Sequence, residues 1–322
     1  MRTVFVSCLD REVSALGFGC ASLGSHFSEA QGLRALQAAY DRGVTWYDVA
    51  PPYGDGDAEE ILGRFLAGRR HRVVICTKFG VPRPVISPMM RFVRPAVRAA
   101  ARMLRPLRGG MDKAKRLAAK DRLRPEEIES SVTESLRRLK TDYVDVLALH
   151  EPSPWDCANE AIARELGRMV RKGYARAVAI AGPAEAVVAG ARASDLYRVA
   201  QLPDSPFAPA IVRVKAVLGE DTSQFFVTHS VFSAHDLLSR LLIGDGGRLG
   251  ALASQLAYSP PFMVSELLLD HAFAANPQGV VLASMFSQAH INMNCDRASR
   301  APRKDIGPFM QKFVLPAALP HF

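Results

Sequence analysis

The chain of 322 residues reads as an α/β protein, a (β/α)8 barrel, or TIM barrel. Three observations point there. Short apolar runs alternate with helical runs along most of the chain, the pattern of parallel strands joined by helices. The strand-like runs, such as "YVDVLALH" and "ARAVAIAG", are rich in Val, Leu and Ala and hardly alternate, so both faces of each are buried. About eight strand–helix repeats succeed one another, the number that closes a barrel.

"RTVFVS" and "REVSALGFG" read as strands, with a short hairpin in front of the barrel. In "SEAQGLRALQAAYDRG", Ser28 suits an N-cap, Leu33, Leu36 and Ala39/Tyr40 recur at helical spacing, and Gly43 suits the stop. "VTWYDV" is the next strand. "DAEEILGRFLAG" is a helix with acids in its first turn and Gly68 at its end. "RVVICTKFG" is a strand. "RPEEIESSVTESLRRLK" opens on Pro125 and two Glu and closes on basic residues, as helices do. "YVDVLALH" is a strand, and "EAIARELGRMVRKG" a helix ending at Gly173.

The later half continues with strand "ARAVAIAG", helix "PAEAVVAGARA" and strand "YRVAQLP". "APAIVRVKAVLGE" is read as helix despite its β-branched residues. "SQFFVTHSVF" is a strand, "HDLLSRLL" and "VSELLLDHAFAAN" are helical, and "GVVLAS" is the last strand. Residues 301–322 carry further prolines and read as a C-terminal extension or loop. Residues 1–322 are expected to form one domain. A doubly wound dinucleotide-binding sheet is the rival. Its support, "GFGCASLG", is a near miss to G-x-G-x-x-G, with Ser22 where a glycine belongs.

Composition excludes several classes. At 48% hydrophobic and 23% charged residues the balance is that of an ordinary globular chain. No apolar stretch reaches the ~18 residues of a membrane span, and the N-terminus lacks the apolar core of a signal peptide. The 5 cysteines are widely spaced with no C-x-x-C, so neither a disulfide framework nor a metal site is expected. A cytoplasmic setting is the expectation.

The net charge of +9 is concentrated. Residues 83–124 hold thirteen Lys and Arg against two acids, Asp112 and Asp121. The segment 81–124 is thus a basic insertion after the third barrel strand. Three readings apply: a solvated loop, a lid that docks acidic substrates, or an amphipathic contact with a membrane surface. No nucleic-acid motif or stacking platform accompanies the charge, so a nucleic-acid partner is not expected.

A barrel places its reactive residues at the C-terminal ends of its strands. Asp48 ends "VTWYDV", Lys78 ends "RVVICTK", His150 ends "YVDVLALH", and Tyr53 lies in the loop after Asp48. Each has an ordinary explanation: a turn carboxylate, a solvated strand end, a core histidine, a packed loop tyrosine. Those explanations do not account for all four chemistries on one rim. A phenol is a weak acid near neutrality, and a nearby ammonium lowers its pKa. A half-buried ammonium calls for a carboxylate, and an imidazole can orient a carbonyl oxygen. What is missing is a source of hydride or electrons, which a cofactor must bring.

With these residues in view the chain resembles the aldo-keto reductases. The resemblance rests on "SALGFGCASLG", "AYDRGVTWYDVAPPYGDGDAEEILGRFL", "VVICTKFG", "SVTESLRRLKTDYVDVLALHEP" and "VVLASMFSQAHINMN". These span nearly the whole chain in the family's order, the first half more closely than the second. The resemblance implies a barrel with an N-terminal β-hairpin and a nicotinamide cofactor extended across the rim. It implies hydride transfer between that cofactor and a carbonyl or alcohol: an aldehyde, ketone or sugar, including anionic ones. Tyr53 would be the general acid/base, tuned by Lys78 and Asp48, with His150 positioning the oxygen. Gly19, Cys20, Ala21, Gln201, His229, Ser230, Ser284, Gln288, His290 and Asn294 would meet the cofactor, with Asp48 beside them. Two departures stand out. Ala181 and Gly182 replace the usual Ser-Asn pair. The segment that binds the 2′-phosphate of NADP has only His290, leaving Arg297 or Arg300 to stand in. NADP(H) is the favoured cofactor and NAD(H) the alternative. The chain is expected to be a monomer or weak homo-oligomer. A second class remains open: a cofactor-binding regulatory or scaffold protein with little turnover.

Overall fold

A computed structural model describes residues 1–84, 122–243, 258, 262–307 and 310. The expected barrel is present. Eight parallel strands close on themselves: β3 (Leu16–Gly19), β4 (Trp46–Asp48), β5 (Val74–Phe79), β6 (Val144–His150), β7 (Ala175–Ala181), β8 (Tyr197–Pro203), β9 (Phe225–His229) and β10 (Val280–Ala283). The antiparallel hairpin of β1 (Thr3–Val6) and β2 (Arg11–Ser14) precedes them. "REVSALGFG" is therefore two strands and not one. Ala15 is the junction. Its N–H donates to Arg2 of the hairpin, while its carbonyl accepts from Val281 of β10.

The helices follow the strands: α1 (Glu29–Asp41), α2 (Ala58–Phe65), α3 (Ile128–Leu139), α4 (Pro154–Ala158), α5 (Glu160–Arg171), α6 (Ala184–Ala193), α7 (Ala210–Leu218), α8 (His235–Ile243), α9 (Met263–Ala275) and α10 (Gln288–Ala298). Ser28 caps α1 and forms a reciprocal box with Gln31. Two helices escaped the sequence reading. The short α4 is capped by Ser153 and Asp156, and α10 by Ser287. Their apolar stripes are too short or too weak to show as periodicity. Nor is the chain after residue 300 only a loop. Ile306 and Met310 are buried in the core. Among the described residues no helix is long and apolar enough to cross a membrane.

Strand register decides which side chains face the barrel interior. Trp46 and Phe225 stack across it, with ring centroids 6.1 Å apart. A Cβ on Gly17 would meet Leu282, Val280 and Trp46, so these share that interior. Residues paired on adjacent parallel strands share a face, and every second residue returns to it. The pairs Gly19↔Asp48, Asp48↔Cys76, Lys78↔Ala148, His150↔Ala181, Ala181↔Gln201 and Pro203↔His229 carry the inner face around the barrel. Inner positions near the rim are then Gly19, Asp48, Lys78, His150, Ala181, Gln201 with Pro203 above it, His229 and, one step past β10, Ser284.

One buried ion pair locks the outer layer to the strands. Arg138 of α3 donates to Glu59 of α2 at 2.6 Å, and Glu59 accepts from Thr77 of β5 at 2.7 Å. Both charged side chains are almost fully buried. The helices approach closely enough here that a Cβ on Gly63 would lie 2.5 Å from the Arg138 carbonyl oxygen.

The roots of the basic insertion lie close together on the rim. Arg83 pairs with Glu60 at 2.9 Å. Leu123 is buried, and its N–H donates to Asp156 at 3.2 Å. Its side chain lies 2.9 Å from where a Cβ on Gly80 would sit. Residues 85–121, on which the loop, lid and membrane readings fall, lie outside the described residues.

Removing one member of the Glu59–Arg138 pair strands the other in the core. Arg138→Ala is expected to cost about 3–5 kcal/mol, read as a lower urea midpoint at unchanged slope. A shift of a few tenths of a kcal/mol would show that the pair is not structural.

Candidate active site

The strand ends bring three of the four predicted residues together, and the loop after β4 brings the fourth. Lys78 Nζ donates to both carboxylate oxygens of Asp48 at 2.6 Å and to the Val49 carbonyl at 3.1 Å. Lys78 is 2% exposed and Asp48 3%. Nζ lies 4.9 Å from the centroid of the Tyr53 ring. Tyr53 in turn meets His150 edge-on, with centroids 5.7 Å apart.

The loop that holds Tyr53 is fixed less by its prolines than by the run Gly54–Asp55–Gly56. All three residues have left-handed backbone, with φ of 62, 58 and 93°. A Cβ on Gly54 would lie 1.7 Å from the Leu23 carbonyl oxygen, so only glycine fits. The Gly54 N–H donates to Ala21 at 3.1 Å, and Arg83 lies against Gly56. "YGDG" was the visible signal for this turn.

The charges do not act on Tyr53 quite as expected. Burial is the largest influence and raises its pKa; Lys78 lowers it and Asp48 raises it, and the phenol ends pushed up to about 12. The ammonium does lower it, but its carboxylate partner opposes it and burial outweighs the ammonium. Lys78 shows the complementary balance. Burial pulls its pKa down, but Asp48 and other neighbours more than offset this, and it ends above the usual lysine value. The resting site holds a neutral phenol beside a charged lysine.

The remaining inner positions form the other half of the ring. Ser284 Oγ donates to the Gly19 carbonyl at 3.2 Å, joining β3 to the end of β10. Ala21 is exposed on the same loop. Cys20 is wholly buried and its N–H is spent on the Asp48 carbonyl at 2.9 Å. Gln201 is buried, and its Oε1 accepts a weak bond from Cys76 Sγ at 3.8 Å. His229 Nδ1 shares a 2.9 Å hydrogen bond with Ser230 Oγ, and Ser230 is held at a φ of 65°. Burial pushes the His229 pKa down to about 4; Asp48 opposes this and Lys78 adds to it.

On α10 the predicted residues separate. Gln288 and His290 are exposed, with Gln288 bonded to Asn292 and His290 edge-on to Phe262. Asn294 is 1% exposed, and among the described residues neither its amide nitrogen nor its oxygen has a hydrogen-bond partner. Arg297 cannot stand in as a surface base. It is buried, paired with Glu266 at 3.1 Å and Asp270 at 3.4 Å, and lies over the Tyr258 ring. Arg300 is exposed. One contact was beyond sequence reading. Phe27 and Phe286 stack at 4.2 Å and 13°, bridging the loops after β3 and β10. Nothing in the spacing of two residues so far apart foretells it.

A family model for the aldo/keto reductase family matches residues 15–202. The chain belongs to that family. Among curated relatives, a D-threo-aldose 1-dehydrogenase from a Pseudomonas species is 32% identical over 197 residues, 57% of this chain and 55% of that protein. This chain thus spans between about a third and about half of the length of the first curated relatives it matches. Solved aldo-keto reductases share the fold over almost the whole chain. One from Klebsiella pneumoniae in complex with NADPH superposes with a TM-score of 0.70 at 20% identity, covering 98% of this chain and 96% of that one. The glycerol dehydrogenase AKR11B4 from Gluconobacter oxydans gives 0.72 at 20% identity, covering 99% and 97%.

Both His229 and His271 have pKa values lowered by burial from 6.5 to about 4. As pH falls, the unfolded chain takes up these protons first, so stability declines from about pH 6.5 down to about pH 4. His229→Phe should shrink that decline, compared by urea midpoints at about pH 7 and about pH 4.5. An equal decline in variant and wild type would place His229 in solvent.

Proposed function

We propose that this protein is an NADP(H)-dependent oxidoreductase that interconverts a carbonyl and an alcohol on a small aldehyde, ketone or sugar. The observation that carries the reading is Lys78, held by both oxygens of Asp48 at 2.6 Å beneath the Tyr53 ring. A buried ion pair is weak evidence for stability. Placed under a phenol that also faces an imidazole, it has a chemical use.

The inner ring fits a nicotinamide nucleotide. One half, Asp48, Lys78 and His150 with Tyr53, can handle a carbonyl oxygen and its proton. The other half runs from Gln201 through His229 and Ser284 to Gly19, which leaves room for a ligand to approach the backbone. The unpartnered amide of Asn294 fits a group that brings its own donor and acceptor, as an adenine edge does. The Klebsiella neighbour was crystallised with NADPH. Of the two bases the resemblance offered for a 2′-phosphate, Arg297 is buried and Arg300 is exposed. NAD(H) is the alternative cofactor.

Bound nicotinamide would supply the hydride that no side chain can. The chain's own residues do the rest. His150 orients the carbonyl oxygen. Tyr53 donates a proton to that oxygen, and the Lys78 ammonium stabilises the phenolate left behind. Asp48 keeps Lys78 charged in a site where desolvation would otherwise neutralise it. A phenol with its pKa raised to about 12 is protonated at neutral pH, so the resting site is set for reduction. Oxidation of an alcohol needs the phenolate and should gain at alkaline pH.

Tyr53→Phe should lower kcat for carbonyl reduction by about 10²–10⁴ and leave NADPH affinity, read by fluorescence titration, essentially unchanged. Tight cofactor binding by the wild type with no turnover on a carbonyl panel would overturn the enzyme reading in favour of a binding protein.

A further inference from the structure

Tyr53 sits on a turn that needs support from outside itself. Gly54, Asp55 and Gly56 all have left-handed backbone. The glycines leave the turn many conformations to choose from, and left-handed Asp55 costs energy that its surroundings must impose. Bonds from the Tyr53 N–H to Ala50 and from the Gly54 N–H to Ala21 secure the first half of the turn. The second half is closed by a longer bond, from the Asp57 N–H to Gly54 at 3.3 Å, and Arg83 is laid across it.

A Cβ on Gly56 would lie 2.8 Å from Arg83 Nε and 2.9 Å from its Cγ, so the arginine fills the space a side chain would take. Its guanidinium then reaches the start of α2, where it donates to Glu60 at 2.9 Å and lies 3.8 Å from Asp57. We propose that Arg83 is a positioning residue for the reaction: it pins the Gly54–Gly56 turn against the start of α2 and so holds the Tyr53 hydroxyl where it meets the substrate oxygen. The inference rests on the reading of Tyr53 as proton donor.

Stability does not account for the arrangement. Arg83, Asp57 and Glu60 are all only partly buried, and ion pairs so placed contribute little to folding. Reaction rate depends on geometry far more steeply, since a misplacement of about 1 Å can cost about a hundredfold. A clamp that adds little to folding can thus matter to turnover. Arg83 also comes from the chain just beyond β5, the strand that carries Lys78. The proton donor and the ammonium that stabilises its phenolate are thereby referred to one strand. The guanidinium fork can serve two carboxylates at once, whereas a lysine would keep the charge and lose the fork.

The test is steady-state kinetics of NADPH-dependent carbonyl reduction, with NADPH fluorescence titrations and urea midpoints beside it. The proteins are wild type, Arg83→Met, Arg83→Lys, Glu60→Ala and the double variant Arg83→Met with Glu60→Ala. Arg83→Met is expected to lower kcat by about ten- to a hundredfold, with KM, NADPH affinity and urea midpoint close to wild type. Arg83→Lys should recover part of that loss. Glu60→Ala should lower kcat by a smaller factor, and adding it to Arg83→Met should cost nothing further, because both open the same clamp. A wild-type kcat in Arg83→Met would overturn the inference. So would a loss confined to KM, which would make Arg83 a substrate contact. A urea midpoint lowered enough to account for the loss, or effects of Arg83 and Glu60 that add in full, would overturn it as well. A wild type that reduces carbonyls no faster than Tyr53→Phe would overturn the reading of Tyr53 itself.

Discussion

Everything at the mouth of this barrel is organised around one buried ion pair, Lys78 with Asp48. Two opposite charges lie wholly inside the protein, each satisfied by the other, with the lysine also donating to the Val49 carbonyl. Taking such a pair out of water costs several kcal/mol per ion before the attraction is counted, and an apolar pair often serves stability as well. The pair makes sense through what surrounds it. It holds a fixed positive charge below the Tyr53 ring, in a cleft where bulk water screens little.

The barrel makes that arrangement possible. Parallel strands in register bring inner residues at or near the end of each to one rim, so that residues from positions 19 to 284 meet in a ring. The ring divides by chemistry. Three adjacent strands supply a carboxylate, an ammonium and an imidazole. The other five supply glycine, alanine, an amide, a neutral imidazole and a hydroxyl, a set suited to accepting a ligand and poor at reacting with one. The run Gly54–Asp55–Gly56 takes left-handed backbone that its two glycines adopt freely and only Asp55 adopts at a cost, so that Tyr53 reaches across to the first set, and Arg83 ties that loop to the root of the basic insertion.

Much of this was legible from the chain. Apolar runs of Val, Leu and Ala marked the strands, and Asp48, Lys78 and His150 at three strand ends marked the candidate site. What escaped has physical reasons. The division of "REVSALGFG" at Ala15 depends on which partners each half finds, and that is a tertiary fact. Helix α4 is a single turn held by its cap. The raised pKa of Tyr53 could not be read from residue types, because a lysine neighbour implies a lowered value until its depth and its carboxylate are known. Arg297 looked available for a phosphate because sequence does not show that Glu266, Asp270 and Tyr258 enclose it. The Phe27–Phe286 stack joins two loops whose closeness exists only once the barrel closes.

The claim that the ion pair serves chemistry and not stability can be tested on the double variant Asp48→Asn with Lys78→Met, which removes both charges together. The measurement is a stopped-flow single turnover of preloaded NADPH with a carbonyl substrate, accompanied by a urea titration. The account predicts a stability at or above that of wild type and a single-turnover rate lower by about 10² or more. A rate within a few-fold of wild type, accompanied by a loss of stability, would contradict it.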